Sequence, residues 1–190
     1  MGAFEHIIML LSFVYALALT HLLSGVVALI RADRRVRFSW IYAFWMLNAF
    51  VTILADWISF WDMRTLPSWS ILTIVFTMLM AIVNYLQAAL VCPEVPAEGL
   101  VDLNAFHAEQ GRRYIGAFLA SVLLALIGNF VFGNMLNVSE WTAQNLAVVP
   151  MAIAAALAMI FRARWIQIAI PIVLTGLWIY YFSFLQSALK

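Results

Sequence analysis

Arg31-Ala32-Asp33-Arg34-Arg35-Val36-Arg37 places four arginines within seven residues, between two long apolar runs. Arginine is costly in the middle of a hydrocarbon layer and is enriched in cytoplasmic loops, so Arg31, Arg34, Arg35 and Arg37 predict a hairpin tip on the inner side of a membrane. The remainder of the chain can be oriented from this tip. Its 190 residues are 66% apolar and 10% charged, with a mean hydropathy of +1.01. Soluble domains carry about 25% charged residues. The composition therefore predicts an all-α, polytopic protein whose first partner is the lipid bilayer.

A membrane span needs about 20 mostly apolar residues. Six stretches qualify, at about 4–30, 38–61, 68–91, 114–136, 142–161 and 165–189, and predict one transmembrane domain over 1–190, a six-helix bundle. The loops after the first, third and fifth spans hold Arg31, Arg34, Arg35, Arg37, Arg112, Arg113, Arg162 and Arg164, whereas the opposite side holds Arg64 and Lys190. This bias predicts an N-out/C-out topology. The first run is too long for a signal-peptide core and leads into arginines rather than a cleavage site. A cytoplasmic loop is expected at 92–113, broken by Pro93, Pro96 and Gly99, with Asp102 capping a short surface helix through Gln110. The similar endings Leu86-Gln87-Ala88-Ala89-Leu90 and Leu185-Gln186-Ser187-Ala188-Leu189 hint at a weak 3+3 inverted repeat.

Several function classes are excluded at this level. Net charge is +1 and the bases are confined to loops, so there is no basic face for nucleic acid. The single cysteine, Cys92, has no partner for an intrachain disulfide and no CxxC motif. His6, His21 and His107 fall at three depths, which excludes joint ligation of zinc or haem, and no metal site is expected. The chain has no HExxH, phosphate-cradling glycine loop or GxSxG elbow, so it reads as a non-enzyme. Trp178, Tyr180 and Tyr181 could stack on a pigment or quinone, but aromatic residues at helical spacing usually form core, and no cofactor is implied.

Polar residues recur at alternating three- and four-residue steps on two spans. Span three carries Ser70, Thr73, Thr77, Met80, Asn84 and Gln87, and span two carries Trp45, Asn48, Thr52, Ala55, Ser59 and Asp62, with Asp56 bordering that face. Such seams join helices in lipid or line a polar path. On span one, Glu5, Ser12 and Ala16 mark one side, and His21, Ser24, Gly25 and Ala28 nearly the opposite side, which suggests a central helix with two non-lipid faces. Glu5, Asp56, Asp62 and Glu140 are expected at the outer surface. Small residues on spans four and five, including Ala117, Ser121, Ala125, Ala143, Ala147, Ala154 and Ala158, predict a homo-oligomer or a larger membrane complex.

The sharpest site expectation is a midplane ring. His21 lies ten residues before Arg31 and Asn48 eleven after Arg37, so each sits about 15 Å from the inner border of a core about 30 Å thick. Asn84 and Thr175 reach similar depth by the same count. The expected function is binding or passage of a small ion or solute through a polar interior formed by helices one to three. The alternative is a non-catalytic accessory or assembly subunit of a larger membrane complex.

Phe4-Glu5 followed by Leu19-Thr20-His21-Leu22-Leu23-Ser24-Gly25, the arginine tip, and Arg112-Arg113-Tyr114 at the start of span four resemble a family of small, uncharacterised six-span bacterial inner-membrane proteins. The resemblance covers roughly the first 115 residues. It implies a multi-pass location in the bacterial cytoplasmic membrane and carries no activity.

The lone cysteine tests the orientation. A membrane-impermeant thiol reagent should spare Cys92 in intact spheroplasts and label it after permeabilisation; labelling of intact spheroplasts as fast as an outer-loop cysteine control overturns the topology.

Overall fold

Six helices form over the apolar runs among the described residues: α1 (Ala3–Arg31), α2 (Trp40–Ser59), α3 (Ile71–Val91), α4 (Leu103–Phe132), α5 (Val138–Ile160) and α6 (Arg164–Ala188). They belong to a computed structural model that describes residues 3–66, 68–132 and 138–188, without the side chains of 3, 33, 62, 65, 138–144 and 184–188. The side chains of Asp62 and Glu140, residues 133–136 at the end of the fourth span, and the side chains of the second repeat copy therefore lie outside the described residues. Five helices are long and apolar enough to cross a membrane, and the described part of α5 adds a shorter apolar segment, Asn145–Ile160. The chain divides into two compact units, residues 1–117 and 118–190.

In the first unit, α1 packs along α3 and both pack on α2. The α1 contact face is the stripe Ile7, Leu11, Tyr15, Ala18 and Leu22, all buried at four- and three-residue steps. This corrects the two-faced reading of that helix, since Ala16, His21 and Ser24 are exposed. A single apolar stripe wins because 3-4 spacing matches the seam of left-handed helix packing. The seams of α2 and α3 do turn inward. Trp45, Asn48, Thr52 and Ala55, and Thr73, Thr77, Met80, Asn84 and Gln87, are all buried. Ser39 and Ser70 cap the two helices by accepting from the amides of Tyr42 and Thr73, so Ser70 starts α3 rather than extending its seam.

One end of this unit is held by a clasp. Strand β1 (Val36–Arg37) pairs in parallel with β2 (Val101–Asp102), Val36 opposite Val101 and Arg37 opposite Asp102. Arg35 Nη1 donates to the carbonyls of Pro96 and Ala97, at 3.0 and 2.8 Å. Arg37 Nη1 meets Asp102 Oδ2 at 3.2 Å. Gly99 turns the intervening loop with φ 100°, a conformation that favours glycine. Asp102 Oδ1 also accepts from the amides of Asn104 and Ala105 and so begins α4. The Ala105 amide, with the Asn104 amide and Arg37, holds the Asp102 carboxyl below the usual carboxylate range.

The loop after α3 is shorter than the expected 92–113. α4 runs unbroken from Leu103, and the expected surface helix is its first three turns. A lone glycine in a helix costs only about 1 kcal/mol relative to alanine, so Gly111 does not end it. Gly111 instead makes room for the hydrogen-bonded pair of His107 Nδ1 and the Tyr114 hydroxyl. A Cβ there would stand 3.3 Å from His107 Nδ1.

In the second unit, α5 and α6 pack as a hairpin. Gln167 on α6 donates through Nε2 to the carbonyls of Ala158 and Phe161, both at 2.8 Å, satisfying α5 C-terminal acceptors that would otherwise lack partners. Asn129 on α4 donates to Asn145 Oδ1 on α5. Ala147, Ala154, Ala155 and Ala158 are buried within the chain. A homo-oligomer would therefore need a face other than that of Ala154 and Ala158. Along α6, Trp178 stacks on Phe182, and Tyr181 stands edge-on to both.

Gly25 on α1 packs closely against α2 and the end of α3. A Cβ there would lie 2.6 Å from Cys92 Sγ and 3.6 Å from Met46 Cε. The Cys92 thiol donates to the carbonyl of His21 at 3.9 Å, and burial pushes it up to about 11. Gly25→Ala should destabilise the protein by about 1–3 kcal/mol through overpacking. Cys92→Ala should recover part of that loss in the double variant, as measured by chemical unfolding; additive losses would show that Gly25 and Cys92 do not share the contact.

Candidate functional site

α2 is 20 residues long and α1 is 29, or about 30 and 43 Å at 1.5 Å per residue. The shorter helix ends part-way along the longer one. Phe60, just past the end of α2, packs its ring 5.8 Å from that of Tyr15. Trp57 Nε1 donates to Ser12 Oγ at 3.2 Å. Tyr15 lies twelve residues into α1, about 18 Å from its start. The chain then covers the remaining distance through a 3-10 helix, Phe60–Thr65, before α3 begins.

This offset draws Asp56 into the unit. Asn84 Nδ2 donates to Asp56 Oδ2 at 2.5 Å and to the Met80 carbonyl at 3.1 Å. These two bonds use both amide hydrogens and fix the orientation of the Asn84 side chain. Tyr15 Oη is buried and interacts with Asn84 and Asp56. α1, α2 and α3 thus each contribute one polar group to a single cluster: a phenol, a carboxylate and an amide. Asp56, expected at the outer surface, is half-buried in the last turn of α2 and bonded to Asn84.

The other expected site residues are dispersed. His21 is exposed on α1, with its ring 6.2 Å from that of Tyr85. Asn48 is buried, and its carbonyl accepts from Thr52 Oγ1 at 2.7 Å. Thr77 Oγ1 donates to the Ile74 carbonyl of its own helix. Thr73 shares a hydroxyl contact with Ser70 at the start of α3. Gln87 is buried and its Oε1 makes no hydrogen bond. Thr175 is exposed on α6 and donates to the Pro171 carbonyl. Of the expected midplane set, Asn84 joins the cluster, and its carboxylate partner comes from the seam border.

Tyr15 was missed because it sits in an apolar stripe and reads as core. Its 3-4 register with Leu11, Ala18 and Leu22 was the available signal. Among the described residues no three His, Cys, Asp or Glu side chains group as metal ligands. No family model matches the chain, and neither does a curated protein or a solved structure.

His21 stands apart from the Asp56 cluster, on the exposed side of α1. His21→Asn should change unfolding stability by no more than about 0.5 kcal/mol, the usual range for an exposed position. A larger loss in a detergent melt would place the imidazole inside the packing.

Proposed function

We propose that the chain is an integral membrane protein that binds a small cation or a protonated solute in the polar interior of α1, α2 and α3, at Asp56. The hydrogen bond between Asp56 and Asn84 carries this reading. An ionisable group inside membrane-spanning helices is expensive and marks an ion or proton site by default. Carboxylate oxygens are also ligands that suit hard cations.

The seam supports binding at a point better than a path along its length, because the Thr52 and Thr77 hydroxyls return to carbonyls of their own helices. The same two bonds favour a second reading, an accessory or assembly subunit whose seams serve packing. The arginine bias and the family resemblance support a place in the bacterial cytoplasmic membrane with both termini outside.

The test is unfolding of the protein in lipid nanodiscs across roughly pH 5 to 8 and with added sodium. A ligand that binds only the native state raises stability by about 2.7 kcal/mol at a hundredfold excess over Kd. Wild type should gain stability as protons or sodium are added, and Asp56→Asn should lose that gain. Equal responses from the two proteins would refute a site at Asp56, and a larger complex co-purifying with an unresponsive wild type would favour the accessory reading.

A further inference from the structure

Beside the cluster, α1 and α2 form an apolar groove of about 300 Å³, lined by Ser12, Tyr15, Ala16, Leu19, Leu54 and Trp57. Ala16 and Trp57 are exposed, so the groove opens on the outside of the unit, where a membrane protein meets lipid. Its volume is at the lower end of small-molecule sites, about 300–1,000 Å³. That space suits an alkyl chain or a small ring system.

Tyr15 is the partition between groove and carboxylate. Its ring lines the groove, while the side chain as a whole is 2% exposed. Its hydroxyl is buried, and the groups it interacts with are Asn84 and Asp56. Asp56 lies between groove residues Leu54 and Trp57 in sequence, and successive helical residues diverge by about 100°. Asp56 is thus turned off the groove wall, and Tyr15 is the groove residue that interacts with it.

We infer that the ligand drawn to Asp56 is an amphipathic amine that enters sideways from the bilayer between α1 and α2, with its apolar body in the groove and its ammonium group at the carboxylate. This rests on the reading of Asp56 as a cation site and adds the ligand class and the route. Charge complementarity selects the head group: a carboxylate attracts an ammonium and repels an acidic amphiphile. The groove selects the body, since an apolar wall offers nothing to a hydrated inorganic ion.

The probes are 8-bromo-octylamine and 8-bromo-octanol, which share a chain and a fluorescence-quenching bromine and differ in the head group. Trp57 reports from the groove wall, and subtracting the signal of Trp57→Phe isolates it from the other tryptophans. In nanodiscs, at equal bilayer concentration, the amine should quench Trp57 saturably, with an affinity about tenfold above that of the alcohol. In Asp56→Asn the amine should fall to the level of the alcohol. Equal quenching by the two probes in the wild type, or an amine affinity unchanged by Asp56→Asn, overturns the inference and leaves the groove as a slot for an acyl chain. The wild-type comparison stands even where Asp56→Asn does not fold. A wild type that responds to pH or sodium yet does not prefer the amine refutes the lateral amine route alone. Absence of both responses refutes the cation site as well.

Discussion

Arg35 meets two backbone carbonyls of a loop sixty residues away, and the first unit depends on that contact. Beside it, α1 ends, α2 begins, α3 ends and α4 begins. The two-residue parallel pairing of β1 with β2 would be too small to persist alone. With the Arg35 bonds and the Arg37–Asp102 pair added, it fixes where four helices start or stop. The arginines that give the chain its charge asymmetry thus divide their roles: Arg35 and Arg37 tie the loops together, while Arg31 and Arg34 stay exposed.

Hydrocarbon offers neither hydrogen bonds nor a hydrophobic force between helices, so polar side chains in such a bundle find partners locally or across one neighbour. Both solutions are present. Thr52, Thr77, Thr175 and Ser183 return to their own helices. Gln167 reaches the end of α5, and Asn84 reaches Asp56. The second group holds helices in register, and Asn84–Asp56 brings in a carboxylate.

Most of the architecture was legible because composition and periodicity act over long stretches. The spans, the inward turn of the Thr73–Gln87 and Trp45–Ala55 seams, and the end of α3 at Cys92 follow from hydropathy and 3-4 spacing. Three things were not legible. The β1–β2 clasp joins segments far apart in sequence, and neither has a strand-like run. The helix expected to stop at Gln110 runs on through Gly111, which the His107–Tyr114 contact shows to be a packing glycine. The expected ring of His21, Asn48, Asn84 and Thr175 does not assemble, since depth was counted from the arginine borders and helix rotation was not. His21 and Asn48 are level by that count. Which of them faces the interior depends on helix rotation, which the count ignores.

The mismatch between α1 and α2 makes helix length itself a determinant of chemistry here. Inserting one residue in α2 before Asp56 would move the carboxylate about 1.5 Å along the axis and swing it by about 100°, away from Asn84 and toward a different neighbour. The composition of the helix would hardly change. Divergent chains built on this plan can therefore exchange one apolar residue for another along α2 freely, whereas insertions and deletions between Trp40 and Asp56 would be filtered out. For this bundle the spacing of residues, more than their identity, is the inherited quantity.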